Sequence, residues 1–327
     1  MRAVVTGAAG FVGSHFVDRL LDSGWEVVGV DNLLTGNSHN LAPARRRNGF
    51  RFLEADVTAG GFASEVLAPL RPDLIAHLAS PASPVDYAAH PSETMAANSS
   101  GTQACAEAAL SAGGRLLFAS TSEVYGDPLE HPQRETYWGN VNPVGPRSPY
   151  DESKRFGEAL VMAFARTHGL DATIVRIFNT YGPRMRPGDG RVIPAFIAQA
   201  LRGEPLPIYG DGSQTRSFCY VTDLVEGLMR VATSGRTRAQ VINVGNPREH
   251  TIMEVARLVS RLCGREPRFR FEPRPQDDPV RRCPDISRAK ELIDWSPRVE
   301  LEQGLKQTIE ERMQAHGASA QHGSDGS

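Results

Sequence analysis

Two residues four apart set the chemistry within reach of this chain. Tyr150 and Lys154, in the run Tyr150-Asp151-Glu152-Ser153-Lys154, have the spacing that puts both side chains on one helix face. A phenol with an ordinary pKa of about 10 is a poor base near neutrality. A neighbouring ammonium, or a positively charged ring bound beside it, favours the phenolate and lowers that value. Such a pair can take a proton from an alcohol while hydride leaves the same carbon. Of 36 basic residues only Lys154, Lys290 and Lys306 are lysine. A compact ammonium kept at 154 fits a role that a planar guanidinium could not fill.

Hydride needs an acceptor, and the first residues supply a place for one. Val4-Val5-Thr6 runs into Gly7-Ala8-Ala9-Gly10-Phe11-Val12-Gly13 and then an amphipathic stretch. Read as strand, turn and helix start, Gly7 permits the tight turn and Gly10 lets backbone approach a pyrophosphate. Gly13 allows close helix–strand packing, and the helix start at Phe11 and Val12 offers free N–H groups. Asp31, 18 positions beyond Gly13, closes the second apolar run. A carboxylate there accepts the adenosine ribose hydroxyls and repels a 2′-phosphate, which favours NAD over NADP. Asp56 and Val57, after the third run, are placed to flank the adenine; FAD is the lesser competitor. A third constellation, Ser120-Thr121-Ser122-Glu123-Val124-Tyr125-Gly126, follows the apolar run 115–119. It therefore falls at a carboxyl strand end, where open α/β sheets bind ligands. Thr121 can hydrogen-bond a reacting hydroxyl, and Glu123 belongs to the same site.

The elements that must position these groups alternate. Strand-like runs lie at 2–6, 26–30, 50–55, 74–79, 115–120 and 172–178, with helical stretches at 11–22, 62–68, 92–112 and 150–168. Alternation with short connections predicts an α/β Rossmann fold: a doubly wound, mainly parallel sheet with helices on both faces. After 179 the pattern loosens, with Pro and Gly crowding 182–190 and 203–212. Helices are expected at 192–202, 222–233, 251–263 and 287–293, with small strands near 206–208, 241–244 and 268–271. The division expected is an NAD-binding domain over 1–178, with segments near 215–245 returning to it. A smaller α+β substrate lobe covers 179–312, and 313–327 is a disordered tail. The formal charge of −2 excludes a broadly basic nucleic-acid binder. No apolar run reaches the length of a membrane span. Met1-Arg2-Ala3-Val4 reads as a strand rather than a secretory leader. Cys105, Cys219, Cys263 and Cys283 lie far apart, without metal or disulfide spacing, so no metal is expected and a reduced, cytoplasmic setting is.

Several longer motifs carry a resemblance: HLASPAS (77–83), STSEVYGDP (120–128), YWGNVNPVGPRSPYDESKR (137–155), RIFNTYGPRM (176–185), DGRVIPAF (189–196), YGDGSQTRSF (209–218) and QDDPVRRCPDI (276–286). Over about residues 1–312 the chain resembles the extended short-chain dehydrogenase/reductases that act on nucleotide sugars, and among them the UDP-glucuronate decarboxylases. The resemblance implies decarboxylation of UDP-glucuronate with NAD through a C4-keto intermediate, giving UDP-xylose or UDP-4-keto-xylose. It makes Tyr150, Lys154, Thr121, Ser122 and Glu123 catalytic. The Thr121-Ser122-Glu123 triplet is the decarboxylase form; sugar 4,6-dehydratases carry Asp at the middle position to protonate a departing hydroxyl. Arg282, or its neighbour Arg281, corresponds to the arginine that the resemblance implies holds the sugar carboxylate, a bidentate task suited to a guanidinium, and helps protonate the product carbanion. Asn179 and Arg216 are implied at the diphosphate, Arg191 and Tyr209 at the uridine, and Asn32, Gly36, Leu78, Ala79 and Ser80 at the cofactor. Relatives pair as homodimers through a four-helix bundle, here helices 101–112 and 150–168. Two positions depart from the family pattern. Ser153 replaces a glycine, and Thr94-Met95-Ala96-Ala97-Asn98 lacks a lysine near Ala96. A 4,6-dehydratase or 4-epimerase, and more remotely a non-catalytic NAD-binding scaffold, are the alternatives.

Overall fold

Near-continuous apolar strands are stable only when covered on both faces, and the chain builds such a sheet. The computed structural model describes residues 1–322. Its strands β1 (Arg2–Thr6), β2 (Glu26–Asp31), β3 (Phe50–Glu54), β4 (Leu74–His77), β5 (Arg115–Thr121) and β6 (Asp171–Ile177) pair in parallel. The strand Gln240–Val244 adds to the free edge of β6. From that edge the order is Gln240–Val244, β6, β5, β4, β1, β2, β3. The direction of winding reverses between β1 and β4, so their carboxyl ends frame the crevice in which such sheets bind ligands.

One face is covered by α1 (Phe11–Asp22), whose Phe16, Val17 and Leu20 are fully buried in a cluster with Leu224 and Leu228 of the helix Val221–Thr233. The other face is covered by the helices Thr102–Ala112 and Ser148–His168, where Cys105, Ala109 and Val161 pack with Leu116, Phe118 and Ile174. Ser148–His168 begins with Pro149 in its first turn and stops at Gly169, which takes the left-handed φ of 71°. The remaining chain forms a lobe of paired short strands. Leu206–Tyr209 lies beside Phe269–Glu272, and Thr215–Ser217 beside Glu249–Thr251. Helices Val192–Arg202 and Ile252–Leu262 pack there, the second held by a Thr251/Glu254 capping box.

The strand Gln240–Val244 lies within the segments near 215–245 expected to return to the first domain, and its backbone satisfies the open edge of β6. Two elements differ from expectation. The stretch 92–112 is not one helix: Pro91–Ala96 leads into a π-helical turn, Ala97–Gly101, before Thr102–Ala112. The widened turn holds Asn98, whose amide donates to both Ser80 and Ser153. The expected disordered tail from 313 is overturned in part, since the helix Leu301–His322 continues across it. A small, polar composition does not forbid a helix anchored upstream, here by buried Leu301, Leu305 and Ile309. Residues 323–327 of that tail lie outside the described residues.

Candidate active site

The crevice starts at the glycine turn. Gly7 has a φ of +71°, and a Cβ there would lie 2.8 Å from the backbone of Leu78 and Ala79. A Cβ on Gly13 would meet the Gly7 carbonyl oxygen at 2.0 Å, so the α1–β1 approach tolerates no side chain. Gly10 caps α1 without a side-chain hydrogen bond, which leaves the amides of Phe11 and Val12 for an anion. At the end of β2 the Asp31 carboxylate accepts from the Ala9 amide at 2.9 Å and the Leu33 amide at 2.8 Å. Burial raises its pKa while those two bonds act to lower it. A Cβ on Gly36 would stand 2.7 Å from that carboxylate. Asp56 accepts from the Asn32 amide at 2.8 Å and from Thr58.

These residues line a cleft of about 300 Å³. Of the residues expected at the cofactor, Gly7, Gly10, Asp31, Asn32, Gly36, Asp56, Val57, Leu78, Ala79 and Ser80 all border it, joined by Leu34, Thr35 and Ala96. Glycine backbone at one end and an oriented carboxylate at the other fit a dinucleotide with unphosphorylated ribose. Buried His77 fixes the wall. Its Nε2–H donates to the Ala97 carbonyl at 3.1 Å, so Nδ1 accepts from the Thr6 hydroxyl at 2.8 Å. Burial and the nearby Lys154 hold this imidazole neutral, with a pKa of about 3.

The helix Ser148–His168 brings Tyr150 and Lys154 against the end of β5. Tyr150 is buried and stacks on Tyr87, ring centres 5.1 Å apart. Lys154 is 3% exposed and donates to the Ala119 carbonyl at 2.7 Å. Burial lowers its pKa to about 7 against the pull of Glu158. Burial also raises the Tyr150 phenol, with the Thr121 hydroxyl opposing and Glu123 and Asp151 adding. Without a positively charged ring beside it, the phenol is thus set by burial rather than by Lys154. Lys154 spends its proton on a backbone carbonyl, and both groups sit where charge is poorly solvated.

Thr121 ends β5, and Ser122 and Glu123 follow directly in the turn after it. Glu123 is paired on one carboxylate oxygen with Arg147 and on the other with Arg282. Burial alone would raise its pKa, but the two guanidinium groups outweigh it and hold it at about 2. Of the two adjacent arginines, Arg282 is turned inward and 4% exposed, whereas Arg281 is exposed. Arg282 also reaches the Gly126 carbonyl at 3.4 Å, and its Nε has no partner. Arg147 and Asp151 are members of this cluster that sequence reasoning missed. The signal available was their place inside the quoted motif 137–155, one helical turn around Tyr150.

Arg216 approaches the cluster from the lobe, buried and bonded to Asp278 at 2.9 Å. Asn179 lies half-buried just after β6, its carbonyl accepting from the Cys219 amide at 2.8 Å. Arg191 pairs with Asp189 and lies 6.0 Å from the Phe11 ring, while Tyr209 is 40% exposed on its short strand. Of the departures, Ser153 is buried, donates to the Tyr150 carbonyl at 3.1 Å and accepts from Asn98.

The model of the NAD dependent epimerase/dehydratase family matches residues 3–245. UDP-glucuronic acid decarboxylase 4 of Arabidopsis thaliana is 50% identical over 93% of this chain and 67% of its own length. UDP-glucuronic acid decarboxylase 6 of the same plant is 49% identical over 93% and 87%, and decarboxylase 1 of Danio rerio 48% over 94% and 72%. Among solved structures, the UDP-glucose 4-epimerase of Thermotoga maritima with UDP-glucose aligns at a TM-score of 0.89 and 32% identity, covering 97% of this chain and 100% of its own. The dTDP-glucose 4,6-dehydratase of Streptomyces venezuelae with NAD bound aligns at 0.87 and 31%, covering 97% and 98%.

Proposed function

The chain belongs to the NAD dependent epimerase/dehydratase family, and from that premise we propose that it decarboxylates UDP-glucuronate through a C4-keto sugar. The observation that carries this reading is the buried Glu123 held between Arg147 and Arg282, with the Arg282 Nε left unpartnered. A buried guanidinium with an unpartnered donor, paired to Glu123 in the turn after β5, suits a sugar carboxylate and has no task on a neutral hexose. The identity to UDP-glucuronic acid decarboxylases supports it further. A scaffold reading has no use for an intact Tyr150–Lys154 pair.

Gly7, Gly10 and Gly13, with Asp31 and Gly36 at the adenosine end, would hold NAD, whose bound nicotinamide would supply reversible hydride acceptance from C4 of the sugar. Tyr150 takes the proton of the C4 hydroxyl, with Thr121 hydrogen-bonded to the same oxygen and Lys154 supporting the phenolate. Arg282 binds the sugar carboxylate next to C5. With a ketone at C4 the sugar is a β-keto acid, so the C5–C6 bond breaks with its electrons delocalised toward the C4 oxygen. After a proton reaches C5, Tyr150 gives its proton back to O4, and UDP-xylose results; early release gives UDP-4-keto-xylose. Ser122 offers no acid for expelling a hydroxyl, which disfavours dehydration. Arg216 and Asn179 contact the diphosphate, and Arg191 and Tyr209 the uridine.

The enzyme pairs with a second copy through the helices Thr102–Ala112 and Ser148–His168, whose outer faces expose Leu110 at 37% and Phe156 at 53%. The free thiols at Cys105, Cys219, Cys263 and Cys283 suit a reducing, cytoplasmic setting. Arg282→Met tests the catalytic reading: carbon dioxide release from UDP-glucuronate should fall by at least about 100-fold, with NAD binding unchanged. Retained release would refute it.

A further inference from the structure

Three side chains with metal-ligating atoms meet at a point that the sugar chemistry does not use. His131 Nε2 stands 2.8 Å from Glu249 Oε2. One nitrogen of His131, one carboxylate oxygen of Glu249 and the Cys283 sulfur all lie within 4.8 Å of one another. They come from three separate segments, with His131 and Glu249 118 positions apart. Spacing along the chain, which gave no metal pattern, does not report such a cluster.

The surroundings hold these groups in place. The other Glu249 oxygen accepts from the Thr215 hydroxyl at 2.6 Å, which orients the carboxylate. Buried Gln133 donates its backbone N–H to the Cys283 carbonyl at 2.9 Å, and its side-chain oxygen accepts from the Cys283 N–H at 2.8 Å. The segments carrying His131 and Cys283 are thereby locked together. The Cys283 thiol is free and buried, donating to the Pro247 carbonyl at 3.2 Å. The His131 and Glu249 side chains are each 26% exposed, which gives an ion a way in. The neighbouring guanidinium groups are engaged elsewhere, Arg248 with Glu300 and Arg134 with Asp285 at 3.3 Å. Tetrahedral zinc, with bonds of about 2.0–2.3 Å, keeps its ligand atoms about 3.3–3.8 Å apart. The cluster closes on such an ion by moving two partly exposed side chains about 1 Å. Imidazole and thiolate select zinc over magnesium or calcium.

We propose that His131, Glu249 and Cys283 bind one zinc-class divalent ion, with water in the fourth position. Binding breaks the Cys283 S–H bond and releases that proton to solvent. On neutral His131 the ring proton sits on Nδ1, which frees the Nε2 lone pair for the metal. Thiolate and carboxylate together balance the two charges of the ion. The ion ties the three segments to one another and anchors the residue that follows Arg282, whose own carbonyl accepts from Ser217 at 3.1 Å. The site is a clip, and no step of the sugar chemistry passes through it.

The test is a cobalt titration of the full chain, prepared metal-free and without a histidine tag, followed by absorbance. Binding should saturate at one cobalt per chain. It should bring the visible bands of tetrahedral cobalt and a near-ultraviolet thiolate-to-cobalt charge-transfer band, and zinc should displace the cobalt and bleach both. Cys283→Ser should lose the charge-transfer band, and His131→Gln should weaken cobalt binding by at least about 100-fold. Cys263→Ser, which removes the one partly exposed thiol, should change neither. Zinc at about 100-fold above its Kd should raise the Tm of the wild type by about 4 °C and leave that of His131→Gln unmoved. A chain that binds no cobalt, or binds it without the thiolate band, overturns the proposal. So does a thiolate band that survives Cys283→Ser. If Cys283→Ser fails to fold, undiminished cobalt affinity in His131→Gln, at its partly exposed position, overturns the proposal instead. None of these readouts depends on turnover, so a failure here is distinct from a failure of the decarboxylase reading.

Discussion

Replacing Lys154 by methionine should stabilise the fold while abolishing turnover. The ammonium is 3% exposed, 5.1 Å from the Phe118 ring, with one hydrogen bond to the Ala119 carbonyl. Burial lowers its pKa from 10.5 to about 7. The unfolded chain keeps the higher value, so between pH 7 and 10.5 it binds a proton that the native state lacks. Stability therefore rises with pH across that window, by up to about 1.4 kcal/mol per pH unit, and the penalty is complete below pH 7. Integrated, the penalty is about 5 kcal/mol. Methionine removes it and keeps the apolar contact with Phe118, but leaves the Ala119 carbonyl short of a donor at a cost of about 1–3 kcal/mol. The net gain at pH 7 is about 2–4 kcal/mol. Urea unfolding of wild type and variant at pH 7 and pH 9, without added cofactor, measures it. The advantage of Lys154→Met should shrink by about 2.3 kcal/mol at pH 9. A variant less stable than wild type at pH 7, or an advantage that stays constant to pH 9, would refute the reasoning.

Tyr150→Phe keeps the stack on Tyr87 but loses the proton acceptor; turnover should drop by about 100-fold or more while NAD still binds in calorimetry. Gly7→Ala forces a Cβ to 2.8 Å from the Leu78–Ala79 backbone at a φ of +71°, so NAD affinity should fall by at least about tenfold, read by the same titration. Glu123, held at about 2 against an ordinary 4.5, contributes stability that is present above pH 4.5 and lost as pH falls toward 2. Wild type should thus lose more stability than Glu123→Gln between pH 5 and pH 3; parallel urea midpoints would contradict the paired-carboxylate assignment.

The strand–turn–helix at the first residues was readable because glycine spacing reports backbone geometry directly. Gly7 and Gly13 stand where any Cβ would collide. The sheet was readable for a similar reason: strands buried on both faces must be apolar throughout, as Leu116, Leu117 and Phe118 are. The ion cluster was only half legible. Glu123 and Arg282 were visible through motif resemblance, but their direct pairing spans 159 positions, and no local pattern announces it. Arg147 and Asp151 stayed hidden because charged residues at a helix start read as ordinary surface. The direction of the Tyr150 and Lys154 shifts depends on burial and on the Ala119 carbonyl, neither of which spacing reveals. The helix Leu301–His322 escaped notice because its anchoring side chains, Leu301, Leu305 and Ile309, are few among polar neighbours.

The most direct measurement is the fate of the sugar carboxyl. With NAD and UDP-glucuronate labelled at that carbon, the label should appear as carbon dioxide, and mass spectrometry should find one nucleotide pentose for each molecule released. Label remaining on the nucleotide sugar, with C4 merely epimerised or water eliminated, would contradict the account.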